Sequence, residues 1–199
     1  MQNNKTAILL SGGMDSIALA YWKRPKYAFT INYGQKPAKS EIKAAEQISS
    51  YLGIEHHIIN VDCSNLGSGD MNSTLPLSIS PITEWWPYRN QLLVTLACMK
   101  GLSYGITELL VGSVLTDTSH KDGSIEFYSK LTDLIEYQEG SIKVSAPAIQ
   151  MNTIELIEKS KIPISLLLWA HSCHTSNEPC MNCNGCKKYL HTLQSIGID

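Results

Sequence analysis

Residues 7–10 (AILL) form a short all-apolar run that ends in Ser-Gly-Gly, the pattern of a strand covered on both faces that feeds a tight turn. Residues 14–22 carry apolar positions with no breaker before Arg24-Pro25, which predicts a helix stopping there. Residues 27–33 (YAFTINY) are rich in strand formers and end at Gly34. A helix over 39–52 would then place Ile42, Ala45, Ile48, Ser49 and Leu52 on one face, with Gly53 closing its C-terminus. A strand at 56–61 completes a β-α-β-α-β series.

Residues 62–84 have no period and many Ser, Asn, Gly and Pro, so they read as a long loop able to act as a lid. Beyond it, residues 90–104 are apolar around much of the circumference and predict a buried helix. The spacing further predicts a strand at 108–114, a helix at 125–137, a strand at 142–145 before Ala146-Pro147, and a helix capped by Asn152 and running to about 161. Alternation of this kind implies an α/β fold built on a doubly wound parallel sheet. The expected division is an α/β body over 1–165 and a small cysteine-bearing element with a C-terminal helix over 166–199.

Composition narrows the classes. With 43% hydrophobic and 17% charged residues the chain of 199 residues is expected to be ordered throughout most of its length. Lys plus Arg number 16 against 18 Asp plus Glu, which gives no general attraction to nucleic acid. The apolar run at 164–170 is far short of the roughly 20 residues of a membrane helix, and the first residues lack a secretory apolar region, so a cytoplasmic protein without membrane attachment is expected.

Candidate chemistry begins at the first turn. Ser11-Gly12-Gly13-Met14-Asp15-Ser16 sits where a strand hands over to a helix, at the sheet edge where ligands bind. Two glycines let consecutive N–H groups turn inward and the helix adds the positive end of its dipole, which together make an anion cradle. Asp15 inside such a cradle would repel phosphate unless it helps to hold Mg²⁺. No Lys-Ser/Thr pair follows the glycines and no GxGxxG is present, so neither of those nucleotide motifs applies. The segment resembles the signature of the PP-loop ATP pyrophosphatases, whose adenine nucleotide alpha hydrolase-like fold splits ATP into AMP and pyrophosphate while adenylating a substrate. That resemblance implies that Ser11, Gly12, Gly13, Asp15 and Ser16 bind the pyrophosphate part and its magnesium.

Cys173, Cys180, Cys183 and Cys186 fall within fourteen residues, in the spacing C-x6-C-x2-C-x2-C, with turn-forming Pro179, Asn182, Asn184 and Gly185 between them. Four thiolates close a tetrahedral structural zinc site; an iron-sulfur cluster is the alternative. His171 and His174 flank the cluster and could replace a thiolate, but with four cysteines available they are expected to support the site or lie exposed.

Aromatic and polar residues before the central helix offer ligand contacts. Trp86 and Tyr88, with Trp85, could stack on a planar ring, although paired tryptophans equally suit a core or an interface, and Asn90 could read a polar edge. Arg89 opens a helix where a guanidinium could pair with phosphate or with a carboxylate, a surface ion pair being the alternative. Asp117, Ser119 and Asp122 follow the fourth strand at the edge where ligands gather, and equally suit an ordinary polar turn.

The N-terminal loop combined with the terminal cysteine pattern resembles the QueC family, the 7-cyano-7-deazaguanine synthases, over almost the whole chain. Tyr33-Gly34-Gln35, Pro87 to Asn90, Gly112 to Ser119, Ala146-Pro147 and Ser172-Cys173 carry it further. It implies ATP-dependent conversion of 7-carboxy-7-deazaguanine with ammonia to the amide and then the nitrile, with Asp15, Ser16 and Arg89 catalytic, Tyr33, Gln35 and Gly112 adding nucleotide contacts, and Mg²⁺ and Zn²⁺ bound. A homodimer is the implied assembly. The chain departs from the family at Asn152-Thr153, where a phosphate-binding lysine is expected, and Lys36, Lys39 and Lys121 are the cations considered in its place. Alternatives are a QueC-like ligase that passes the acid to another amine, including one on a protein, a tRNA-thiolating relative, and a nucleotide-binding scaffold without catalysis.

Overall fold

The computed structural model describes residues 5–198, with the side chains of residues 118 and 119 outside the description. Five strands, β1 (Thr6–Leu9), β2 (Tyr27–Asn32), β3 (Glu55–Asn60), β4 (Glu108–Leu110) and β5 (Lys143–Ser145), form one sheet in the order β3-β2-β1-β4-β5. Every pairing is parallel. The order reverses direction at β1, between β2 and β4, so the loop after β1 opens into the crevice where doubly wound sheets bind ligands.

Each face of the sheet carries its own core. Phe29, Leu109 and Val144 lie under α3 (Arg89–Leu102) and α4 (Ile125–Glu136), while Ile8, Ala28 and Leu110 lie under α1 (Met14–Lys23), α2 (Ala38–Leu52) and α5 (Thr153–Ser160). Central strand β2 is buried over five of its six residues and β1 at Ala7 and Ile8, as their apolar runs require. β3 is an edge strand with no fully buried residue, exposing Glu55, Ile58 and Asn60. Gly53 adopts φ +67 after α2 and its N–H closes the helix on Ser49 and Ser50, as a left-handed glycine cap should. Asn152 accepts from the Glu155 N–H at 3.0 Å while Glu155 accepts from the Asn152 N–H at 2.8 Å, a complete capping box for α5.

Several boundaries differ from the sequence expectation. β4 ends at Leu110 rather than 114, because Gly112 passes so close to α1 that an added Cβ would lie 3.0 Å from the Ser16 Cα. α3 starts at Arg89, after Tyr88 in the left-handed region at φ 55, and it is buried on one side only: Met99 and Leu102 face solvent. The apolar run at 164–170 contains a short helix, α6 (Ile164–Leu167), within which the expected division at 165/166 falls. Residues 62–84 include two 3-10 turns, Ser64–Leu66 and Gly69–Asn72, pinned by Asp70 N–H to the Thr83 carbonyl at 2.9 Å and Lys36 N–H to the Met71 carbonyl at 3.0 Å.

The last helix, α7 (Asn184–Ser195), lays Tyr189, Leu193 and Ile196 on the same core as α1 and α5. His171 N–H bonds the Gly12 carbonyl at 2.9 Å, so the cysteine-bearing segment is tied directly to the first loop. Among the described residues no helix is long and apolar enough to cross a membrane.

Candidate active site

The turn after β1 folds as its glycines demand. Gly12 sits at φ +79, and a Cβ there would collide with the Glu41 carbonyl oxygen of α2. Gly13 is the N-cap of α1 and Ser16 returns its hydroxyl to the Gly13 carbonyl at 2.9 Å, while Ser11 donates to the Ser16 hydroxyl at 3.1 Å. The result is a rigid bowl of backbone N–H groups at a helix start, suited to phosphate oxygens. Gly12→Ala is therefore expected to lower stability by about 2 kcal/mol or more, through a strained φ and the backbone collision together. Urea unfolding with calorimetric titration of ATP would check it, and ATP affinity should fall with stability.

A cavity of about 450 Å³ opens from this bowl, within the usual size of small-molecule sites. Ser11, Gly13, Asp15, Ser16, Gly112, Asp117, Arg89, Asn90, Tyr33 and Gln35 all border it. Two groups of polar residues divide its chemistry.

The first group surrounds Asp15. Its Oδ2 meets the Lys188 Nζ at 2.9 Å, and Asp117 Oδ1 meets the same ammonium at 3.4 Å. Burial pushes the Asp15 carboxyl above its usual range, partly offset by the Lys188 charge, and Asp117 adds repulsion in the same upward direction. Asp15 Oδ1 and the Thr153 hydroxyl are both buried with no partner beyond each other: the hydroxyl stands close enough to the carboxyl to pull its pKa down slightly, and Thr153 is only 5% exposed. Buried polar atoms left open at a cavity wall are places where a ligand completes the bonding. A carboxylate pair with an open oxygen beside an anion bowl also fits a phosphate-bound divalent cation, with oxygen ligands of the kind Mg²⁺ prefers.

The second group centres on Arg89, the first residue of α3. Its Nε reaches Asn90 Oδ1 at 3.4 Å and its Nη1 the Met71 sulfur at 3.5 Å, both long contacts, and the Tyr33 hydroxyl lies beside it. Burial pushes the Tyr33 phenol far up, so it stays protonated beside the guanidinium. Glu41 is also held above its usual range by burial, against the opposing pull of Gln35 and Arg89. Gln35 spends its amide on structure: it donates to the Ile31 carbonyl and to Glu41 Oε2, and accepts from the Tyr33 N–H. Asn90 bonds Asp122 through both its backbone N–H and its side-chain amide, which clamps the 3-10 turn Lys121–Gly123 to the start of α3.

The loop over 62–84 contributes one wall. Met71, Ile82 and Glu84 border the cavity. Glu84 takes the Asn184 amide at 2.8 Å and lies 3.6 Å from His174 Nδ1; His174 and Asn184 hold its carboxyl down to about 2.

Not every expected residue reaches this space. Trp86 is 2% exposed and does not border the cavity; it packs edge-on against Tyr33, ring centroids 4.8 Å apart, behind the cavity wall. Tyr88 is 79% exposed and points away, because its left-handed backbone turns the chain into α3 there. Gly12 supports the bowl from behind rather than bordering it. The Ser119 side chain lies outside the described residues. Lys36 and Lys39 border a separate shallow groove beside α2, and Lys121 borders neither. Conversely, Lys188, Thr153, Glu41, Glu84 and Tyr128 border the cavity without having been singled out as ligand-binding.

The four cysteines meet in one cage beside α7. All four sulfurs lie within 4.8 Å of one another, with Cys180–Cys186 at 3.9 Å and Cys173–Cys183 at 4.0 Å. Four thiolates about 2.3 Å from one tetrahedral ion would stand about 3.8 Å apart, so the cage fits a single metal ion. In a four-iron cluster each thiolate binds a different iron, which needs a wider spread. Cys183 Sγ accepts N–H bonds from His174 and Cys186, and Cys180 Sγ accepts from Cys183, the pattern that stabilises thiolate charge around a metal.

Comparison with known proteins gives a consistent result. A family profile described as "Queuosine biosynthesis protein QueC" matches residues 5–197. A protein named 7-cyano-7-deazaguanine synthase from Chlorobaculum parvum is 28% identical over 213 residues, covering 98% of this chain and 93% of its own length. One of the same name from Methanobrevibacter smithii is 29% identical over 212 residues, covering 94% and 92%. Among solved structures, the U34-tRNA thiolase NcsA from Methanococcus maripaludis with its [4Fe-4S] cluster superposes with TM-score 0.55 at 17% identity, covering 98% of this chain and 65% of that one, a likeness of fold.

Proposed function

The chain belongs to the QueC family of queuosine biosynthesis proteins, and on that premise we propose that it activates the carboxylate of 7-carboxy-7-deazaguanine with ATP and transfers the acyl group to ammonia. A carboxylate is a poor electrophile. In the proposed reaction its oxygen attacks the α-phosphorus of ATP, the bond to the bridging oxygen breaks, and pyrophosphate leaves with the electron pair. Ammonia then attacks the acyl carbon, AMP departs, and the amide remains. A second ATP would activate the amide oxygen in the same way, releasing pyrophosphate, and loss of AMP together with both protons of the amide nitrogen would give the nitrile.

The observation that carries this reading is the presence in one cavity of an anion bowl with Asp15 and a half-free guanidinium at Arg89. The bowl of residues 11–16 suits the nucleotide's phosphates, with Gly112 leaving room beside Ser16 for the chain to close over them. Asp15 and Asp117 would hold Mg²⁺, which neutralises phosphate charge and opens the α-phosphorus to attack. Arg89 suits a bidentate grip on the substrate carboxylate, and Tyr33 and Asn90 fix its orientation. Alignment and charge neutralisation supply most of such a reaction's acceleration.

The cysteine cage would hold one zinc ion, a reading supported over a four-iron cluster by the close spacing of its sulfurs. Four protein thiolates leave no coordination position for substrate, so the metal's contribution is to hold the C-terminal segment in place.

Metal-loaded protein incubated with 7-carboxy-7-deazaguanine, ATP, Mg²⁺ and ammonia should release AMP and pyrophosphate and yield the amide and then the nitrile, resolved by mass spectrometry. Amide without nitrile would restrict the activity to the first ligation. No acid-dependent AMP release, with ammonia or any other amine, would overturn the reading.

A further inference from the structure

We propose that Lys188 binds the pyrophosphate-side oxygens of the nucleotide, and that the cysteine cage exists to put it there; this rests on the ATP-dependent reading above. Phosphate sites need positive charge, and the segment after Ala146-Pro147 offers none: Asn152 caps α5 and Thr153 begins it. Among the described residues bordering the cavity, Arg89 and Lys188 are the permanent cations, and Arg89 belongs to the second polar group, beside Tyr33 and Asn90 at the start of α3. Lys188 is the one beside the bowl.

Its position is built rather than incidental. Cys183 caps the start of α7 by accepting the Cys186 N–H, and Lys188 follows Cys186 by two residues, so the cage fixes the rotation of the helix that aims the ammonium. The side chain crosses to α1 and the loop after β4, where it bridges Asp15 and Asp117. Around it, the Thr153 hydroxyl, 5% exposed, and Asp15 Oδ1 border the same cavity with no partner beyond each other. An ammonium has three donors and the two carboxylates use two, which leaves one for a phosphate oxygen. Two carboxylates against one ammonium leave the site net negative, so phosphate enters with a divalent cation. Lys188 and Thr153 then donate to the departing pyrophosphate as the bond from α-phosphorus to bridging oxygen breaks, with no proton transferred.

The test uses inorganic pyrophosphate with Mg²⁺ as probe, titrated calorimetrically into the metal-loaded wild type, Lys188→Ala, Lys188→Arg and Lys187→Ala. Loss of one charge-assisted hydrogen bond should weaken binding about 10-fold or more in Lys188→Ala. Lys188→Arg should stay within about threefold, because it keeps the charge. Lys187 is exposed, and its replacement should change nothing. Pyrophosphate exchange into ATP adds a second readout: the KM for pyrophosphate should rise in Lys188→Ala while the KM for the acid holds. Metal content and circular dichroism check that each variant is folded. Unchanged pyrophosphate affinity in Lys188→Ala, or no measurable affinity in the wild type, would overturn the proposal. If the wild type binds pyrophosphate and consumes no ATP with the acid, the functional reading fails while the Lys188 comparison still decides this one.

Discussion

Arg89→Met will lower kcat/KM for the carboxylated substrate by about 10²–10³-fold while leaving the KM for ATP within about threefold, because truncating one partner of a buried charge pair costs roughly 2–5 kcal/mol. The argument is one of unused bonding capacity. A guanidinium presents five donors in a planar fork, yet among the described residues this one makes long contacts to Asn90 at 3.4 Å and to the Met71 sulfur at 3.5 Å, besides its bond with the Tyr33 hydroxyl. A desolvated cation in that condition is costly unless a ligand completes it. Without Arg89, both Glu41 and an arriving carboxylate would lose their nearest positive charge. Arg89→Lys should recover only part of the loss, since an ammonium cannot fork to two oxygens. Steady-state kinetics with the acid varied at saturating ATP would measure it, with thermal unfolding as the control for fold. Unaltered use of the acid by Arg89→Met would move the carboxylate site elsewhere in the cavity.

The difference between Arg89 and Trp86 shows what a sequence of this kind can and cannot convey. Every strand and most helices follow from runs of apolar residues and from end signals such as the closing Gly53 and the capping Asn152, because those signals are local and act through the backbone. The turn at residues 11–16 is equally local: its glycines, its position after an apolar run and its helix were all readable, and the bowl forms within those six residues. The spacing of the four cysteines likewise gave the cage, since three of them lie on one tight turn and a helix start.

What stays hidden is the outcome of packing between distant segments. Trp86 has the chemistry of a stacking group, but Tyr33 from β2's end stands between it and the cavity. Nothing near Trp86 in the chain announces that. Lys188 looks like one of two ordinary lysines on an amphipathic helix; it becomes a partner of Asp15, 173 positions earlier, only because α7 packs on α1 and α5. Its two-residue distance from Cys186 was the available clue, since a cage that fixes a helix start also fixes the direction of the next turn. Thr153 was visible as the place where a lysine was missing. That it contributes an open hydroxyl to the same wall needed coordinates.

The same dependence of α7 on the cage makes Cys186→Ser the second large effect. Between α6 and α7, residues 168–183 have no regular helix or strand and are tied down by isolated bonds, such as His171 N–H to the Gly12 carbonyl at 2.9 Å and Ser40 to Asn177 at 3.0 and 2.7 Å. α7 itself keeps Tyr189, Leu193 and Ile196 only partly buried on the core. A zinc ion held by the cage, as proposed above, would be the main term fixing this segment, since structural zinc sites contribute about 10–16 kcal/mol to folding in small peptides. Cys186 is buried, and a serine hydroxyl is a far weaker ligand for the same ion. The variant should drop from about one zinc per chain to almost none, and limited proteolysis should open cleavage sites within residues 171–198. The Glu84–Asn184 bond joins the loop wall to the start of α7, so that wall should loosen as well. Mg²⁺-pyrophosphate affinity should fall about as far as in Lys188→Ala, and adding Lys188→Ala to Cys186→Ser should cost little more, because both changes remove the same ammonium from the bowl. Independent, additive losses would instead mean that the metal steadies the fold without aiming Lys188.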